Sequence, residues 1–391
     1  MNTLILGGGF GGIAAARHLR SALPSGHAIC LVTDTPTFQI GATKTWVMIG
    51  EADPASVQHP IDTLRDHGIE IEHSTVRRID AKNRTVHTDA GERGADYLVI
   101  ALGAIRDASL VPGLLEGAET FYTREGAIRL RGTLSGFDGG RIVVLIPRVP
   151  FSCPPGPYEA AMLLEAWLEA RGIRDRSSLG VYSVEKAPMM TAGPEIGRYV
   201  VERLNERGIG FHPACEVQAV DPARKVVSMK NGDEVPFDLL IAVPPHVAPP
   251  AVRESGLTGP SGWIPVDPRT LEITGSPARG RIFAIGDVTG VPLPGRFNPD
   301  VPLSLPKAGV FAEAHARTVA ARIAADAQGR EPDAVFDGRG FCYIELGRGE
   351  ALRGDGSFFD LPHPRMTPSE AGAARLAEKK AWVEQWLANY L

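Results

Sequence analysis

Short, solidly apolar runs alternate along this chain with stretches whose apolar residues recur at helical spacing, the pattern of buried parallel strands joined by helices. Thr3–Leu6, Ala28–Thr33, Ile142–Ile146, Gly180–Val184 and Phe237–Val243 predict strands. Ile13, Ala16, Leu19 and Leu23 predict a first helix. A second spans Tyr158–Ala170 with Gly172 as its stop, a third spans Glu195–Arg207 with Gly208 as its stop, and another carries Val310, Ala314, Val319 and Ile323 within Pro302–Ala325. Gly340–Glu345 reads as a strand that places Cys342 on one face with Ile344 and Leu346. The tail, Pro368–Leu391, predicts an amphipathic helix carrying Leu376, Val383, Trp386, Leu387 and Tyr390, with Trp382 beside the stripe and Lys379 and Lys380 interrupting it. Phe38–Gly50 shows no regular period and reads as a loop. The fold class is α/β.

Chemistry enters at the turns between these elements. Gly7-Gly8-Gly9-Phe10-Gly11-Gly12 is a GxGxxG between the first strand and first helix, and Asp34 ends the second strand where a carboxylate can bind an adenosine ribose. Gly7, Gly9, Gly12 and Asp34 are therefore candidate nucleotide-binding residues. Asp96–Gly103, with Ala101 and Gly103 in its turn, resembles the segment that closes the first half of an FAD domain. GRIFAIGDVTG (280–290), with Gly286 and Asp287, resembles the second FAD signature of two-dinucleotide flavoproteins. Three matches in the expected order select FAD as the nucleotide. Lys307, at the start of a helix of the kind that aims at the flavin, is expected to place positive charge at the pyrimidine edge.

The corresponding turn of the second strand–helix unit, Pro147–Pro157, breaks this pattern. Its five prolines remove N–H donors and fix φ, which disfavours a pyridine nucleotide there. It holds instead Cys153, just before a helix N-terminus where the dipole favours a thiolate, and Glu159 in the first turn, which can accept protons or complement the dipole. Cys30 reads as a core residue, Cys215 as structural, and His246 as a surface-loop histidine. The four scattered cysteines fit neither a metal site nor a disulfide scaffold.

GGGFGG, DYLVIALG, FSCPPGPYEA, LLIAVPPH, GRIFAIGDV, LPKAG and FCYIE together resemble the sulfide:quinone oxidoreductase and flavocytochrome c sulfide dehydrogenase family nearly from end to end. The resemblance implies two Rossmann-like, glutathione-reductase-type domains: an FAD domain over 1–107 and 266–330, and a second over 108–265 without the NAD glycine loop. A C-terminal segment, 331–391, would bring a second cysteine to the flavin. Cys153 and Cys342 match the family's redox pair. Two departures matter: the loop Phe38–Trp46 has no cysteine to tether FAD, so FAD is expected to be non-covalent, and Pro112–Leu134 lacks the third cysteine of many members.

With 391 residues the chain is long enough for several cores, and its net charge of −5 offers no basic footprint for nucleic acid. The glycine loop starts at Gly7, so a cytoplasmic location is expected, with attachment to the inner face of the membrane through 368–391 and a homodimer both left open. The implied reaction takes electrons from sulfide or a small persulfide through the Cys153–Cys342 pair and FAD to a quinone. Two rivals remain: an NAD(P)H-dependent reductase of quinone, disulfide or persulfide on the same fold, and a non-catalytic flavin–thiol sensor.

Overall fold

The computed structural model describes residues 1–275, 278 and 280–391. The first strand, Asn2–Leu6, is central in a parallel sheet, paired on one side with Ala28–Thr33 and on the other with Tyr97–Ile100. Glu70–His73 extends one edge and Ile282–Ala284 the other, so the chain returns to its first sheet after a long excursion. Leu4, Ile5, Leu6, Tyr97, Leu98, Val99 and Ile100 are all buried, because a parallel strand covered on both faces has no polar side to show. The helices Phe10–Ala22 and Gly309–Ala327 pack on this sheet and on each other.

The excursion builds a second parallel sheet, in which Gly140–Ile146 lies between Ser177–Ser183 and Leu239–Ala242, with Gly210–His212 at the edge. The helix Gly156–Ala170, stopped before Gly172 at φ +66°, runs back across it. The predicted elements recur with ends shifted by a few residues. The segment predicted as a loop differs. Thr43–Ile49 is a short helix, capped by Gly50 at φ +84°, whose Val47 and Met48 are buried in the second core. It is too short to show a period, and packing supplies what propensity does not.

The last part of the chain is an antiparallel sheet of Arg339–Gly347, Glu350–Ser357 and Arg365–Pro368, followed by the helix Ala373–Tyr390. This sheet lies on the helix Gly156–Ala170, and the terminal helix lies on the sheet. Trp382, Trp386 and Tyr390 face inward: Trp386 meets Phe10 and Phe38 at ring-centroid separations of 4.8 Å each, and Trp382 stacks on Phe10 at 6.2 Å. The aromatic stripe is thus occupied by the protein body. Among the described residues, no helix is long and apolar enough to cross a membrane.

Candidate functional site at the junction of the two sheets

The first cleft opens at the carboxyl ends of the first sheet. Gly7 has φ +108°, and a Cβ there would stand 2.4 Å from the Ala101 carbonyl oxygen. A Cβ on Gly12 would stand 1.8 Å from the Gly7 oxygen, so Gly12 lets the helix close on the loop and does not itself face the cleft. Gly9 has open space where its side chain would be. Gly7, Gly9, Asp34, Ala101, Gly103, Gly286 and Asp287 line one cleft, as a dinucleotide laid across the strand ends requires. Lys44, Arg77 and Arg106 line it too and supply cations for a pyrophosphate or flavin. None of the three carries a motif, and Lys44 lies in the segment read as a loop. Burial, then the nearby Arg106, lowers the Lys44 ammonium to about 7.

Lys307 departs from its expected place. Its ammonium donates to the carbonyl oxygens of Asp287 (2.5 Å) and Thr289 (3.1 Å) and sits 3.4 Å from the centre of the Trp263 ring. It does not line the cleft, and its ammonium is engaged by these carbonyls. A lysine buried at a chain crossing satisfies carbonyls that water cannot reach. Its main chain matters more: the Lys307 oxygen accepts the Cys153 N–H at 2.8 Å, and the Ser152 hydroxyl donates to Asp287. The cysteine turn is thereby tied to the second FAD signature.

Cys153 itself has φ +56°, a left-handed conformation rare for a side-chain-bearing residue. Its carbonyl accepts the Gly156 N–H at 2.8 Å and the Tyr122 hydroxyl at 3.4 Å. The Tyr158 N–H is taken by the Pro155 oxygen at 3.0 Å, and Pro157 has none. These helix-terminal amides are spent inside the turn, so they do not point outward as a pyrophosphate site needs. Glu185, just past the neighbouring strand Ser177–Ser183, is buried and accepts the Tyr158 hydroxyl at 2.8 Å. The second sheet's acid at the strand end is occupied by its own helix.

Cys342 comes from the opposite side, on the strand Arg339–Gly347. Its register partner is Gly354, and a Cβ there would press on Met366 Sδ at 2.9 Å and lie 3.7 Å from Cys342 Sγ. Cys153 and Cys342 line one pocket with Glu159, Lys379, Phe341, Phe358 and Trp382, and Cys153 also lines the nucleotide cleft. Both are free thiols. Burial, then the neighbouring Glu159, pushes each thiol up to about 12, which corrects the expectation of a thiolate at Cys153. Desolvation outweighs the helix dipole, whose contribution is modest and falls off within the first turn. Lys379 and Lys44 pull the Cys153 thiol the other way.

Glu159 is buried, and burial raises its carboxyl above the ordinary range. Its Oε1 accepts Lys379 Nζ at 2.9 Å and the Glu345 N–H at 2.8 Å. Lys379 also bridges to Glu345 Oε1 at 2.8 Å, and Glu345 accepts Trp46 Nε1–H at 2.7 Å. Burial disfavours the Lys379 charge, but the two carboxylates outweigh it and hold the ammonium above its usual pKa. The sequence shows Lys379 only as a break in an apolar stripe; the structure makes it the pocket's cation. His246 is also corrected. It is 7 % exposed, donates Nδ1–H to the Pro244 carbonyl at 2.8 Å and packs edge-on against Tyr122, and burial lowers it to about 3. Cys30 lies in the first sheet, raised by burial to about 12, and Cys215 bonds the His212 carbonyl at 3.3 Å. Among the described residues no cluster of metal-ligating side chains occurs.

The profile of the pyridine nucleotide-disulphide oxidoreductases matches residues 1–145, and that of the central part of the sulfide dehydrogenase [flavocytochrome c] flavoprotein chain matches 129–244. The sulfide-quinone reductase of Aquifex aeolicus is 29% identical over 94% of this chain and 85% of its own. The crystal structure of the sulfide:quinone oxidoreductase from that bacterium superposes with a TM-score of 0.88 at 25% identity, covering 100% of this chain and 91% of the other. The chain is thus similar over nearly its whole length to a sulfide-quinone reductase, and its middle third to the flavocytochrome c sulfide dehydrogenase flavoprotein. It is an FAD-binding oxidoreductase, and its two-domain α/β fold is that of the Aquifex aeolicus sulfide:quinone oxidoreductase structure. The type II NADH:quinone oxidoreductase of Staphylococcus haemolyticus is a more distant relative, 23% identical over 73% of this chain and 74% of its own.

Proposed function

We propose that this flavoprotein oxidises sulfide or a small persulfide through Cys153 and Cys342 and passes the electrons to a quinone. One observation carries the reading: two cysteines far apart in the sequence share an apolar pocket, and one of them also lines the nucleotide cleft. In the oxidised enzyme the pair is joined as a disulfide or through a bridging sulfur. A sulfide sulfur attacks one sulfur of that link; a new S–S bond forms, the old one breaks, and the other cysteine leaves as thiolate. The incoming sulfide loses its proton to Glu159, whose carboxyl, raised by burial, is suited to accept one. Lys379 and Lys44 stabilise the anionic sulfur at Cys153, where the unaided thiolate would be costly. FAD, when bound, supplies the two-electron acceptor and the link to quinone. Phe341, Phe358 and Trp382 give the pocket an apolar lining, which shields reactive sulfur from side reactions.

The occupied acid Glu185 and the spent amides before Tyr158 support this reading over an NAD(P)H reductase. Anaerobic addition of each reductant separates the two. Sulfide should bleach the flavin within turnover time, and a soluble quinone should restore it; rapid bleaching by NADH with none by sulfide would reverse the assignment. Steady turnover with sulfide and quinone would also remove the sensor alternative.

A further inference from the structure

Three of the cations around the two pockets are already engaged. Lys307 gives its ammonium to the Asp287 and Thr289 carbonyls, Lys379 lies between two carboxylates, and Arg77 holds Asp89 through two bonds of 2.6 and 2.8 Å. We propose that Lys44 is the counter-ion of the reduced cofactor, facing the negative charge that FAD gains when it takes electrons from the cysteine pocket. The inference rests on the reading that Cys153 faces the flavin.

Three observations carry it. First, Lys44 has unused donors. Its ammonium carries three N–H groups, and among the described residues one acceptor is within reach, the Tyr122 carbonyl at 3.1 Å. No carboxylate stands within ion-pair distance of it among those residues, and Glu125 and Asp287 act on its charge from farther away. Second, Lys44 belongs to the cysteine end of the cleft. Lys44 and Cys153 line the same cleft, and each acts on the other's charge. Tyr122 ties them together: its carbonyl accepts the Lys44 ammonium, and its hydroxyl donates to the Cys153 carbonyl at 3.4 Å. A pyrophosphate belongs with the glycine loop, which leaves this end to the ring system. Third, the position is unfavourable for a cation with no anion beside it. Burial and the nearby Arg106 both disfavour the ammonium, and Lys44 stands in the first turn of Thr43–Ile49, where a helix dipole repels positive charge. A local rule broken in this way is expected at a functional site.

Two electrons and one proton added to FAD leave it with one more negative charge. In turnover the electrons come from the sulfur held by the cysteine pair, and in a titration from dithionite; the proton comes from water. No bond to Lys44 forms or breaks. A cation moves this equilibrium only by the difference between its interactions with the two redox states. An ammonium that faces the ring therefore raises the reduction potential. One that faces only the pyrophosphate, whose charge does not change, leaves the potential where it was.

The test is the flavin reduction potential of the purified holoenzyme, measured by anaerobic dithionite titration against a redox dye, without sulfide or quinone. Lys44→Met keeps most of the side chain's length and removes its charge. It should retain FAD while the equilibrium moves towards oxidised flavin by about a hundredfold, which is about 59 mV for a two-electron couple. Lys44→Arg keeps the charge and should stay close to the parent. Should Lys44→Met lose its FAD, Lys44→Gln, which keeps a donor for the Tyr122 carbonyl, is measured in its place with the same shift expected. An unmoved potential in the neutral variant would overturn the proposal. Repeating the pair of measurements in a Cys153→Ser background locates the charge: a shift that persists belongs to the flavin, and one that vanishes belongs to the sulfur and overturns the assignment. Because no sulfur substrate enters the titration, a protein that shows the shift but fails to oxidise sulfide would lose the functional reading and keep this one.

Discussion

Replacing Lys379 with methionine keeps most of the side chain's length and removes the ammonium that neutralises the pocket. Lys379 is 3 % exposed, and its two partners are as deeply buried. Breaking a buried ion pair from one side costs about 3–5 kcal/mol, most of it the penalty of the charge left behind. Here two like charges are left, Glu159 and Glu345, so the upper part of that range is expected at pH 8. The pH dependence fixes the cause. In the parent, Lys379 has a folded pKa above its unfolded value, so its contribution is complete below the unfolded lysine pKa and is lost only as pH rises through the folded one. Glu159 has a raised folded pKa, so its charge weakens the fold above that pKa and protonation relieves it as pH falls. In Lys379→Met the carboxyl rises further, and the deficit should shrink as pH is lowered from 8 towards 5. Denaturant unfolding followed by flavin release, on parent and variant across that range, measures it. Adding Glu345→Gln to Lys379→Met should recover part of the loss, because one stranded charge is gone. A deficit below about 1 kcal/mol, the size of an exposed pair, or one that is the same at every pH, would refute the argument.

Three further outcomes follow from the geometry. Gly12→Ala should abolish FAD retention, since its Cβ would stand 1.8 Å from the Gly7 oxygen and the loop cannot close; the flavin absorbance of the purified variant checks it. FAD should be non-covalent, because the loop Phe38–Trp46 offers no thiol, so acid precipitation should leave the yellow colour in the supernatant. Truncation at Thr367 removes Lys379, the Trp382 and Trp386 rings that pack on Phe10 and Phe38, and Tyr390, which packs on Trp386. The shortened chain should melt well below the parent, and one with an unchanged melting curve would return the tail to a surface role.

What could be read from the sequence was whatever local pattern dictates. The strand, glycine turn and helix at Gly7–Gly12 follow from period and glycine placement, and the prolines around Cys153 mark a turn that disfavours a pyridine nucleotide. Both cysteines were visible as residues, and family likeness paired them. What was hidden depends on contacts between distant segments. Lys379 looks like a flaw in a helical stripe because its partners Glu159 and Glu345 lie far off in the chain. Glu345 looks like any strand residue for the same reason. Lys307 sits in the right turn but points at carbonyls that only the folded crossing creates. The Thr43–Ile49 helix is held by packing, and the thiol pKa values follow from desolvation, which no motif encodes.

The central claim is that Cys153 and Cys342 act on sulfur beside the flavin, and the contrast between two reductants tests it most directly. Cys153→Ser and Cys342→Ser each leave the nucleotide loop untouched and nearly keep the side-chain volume, so both should retain FAD and bleach with dithionite as the parent does. A hydroxyl cannot take up sulfur or leave as a stable anion, so bleaching by sulfide should collapse in each variant. Sulfide bleaching at the parent rate in both variants would contradict the account and make the cysteines structural.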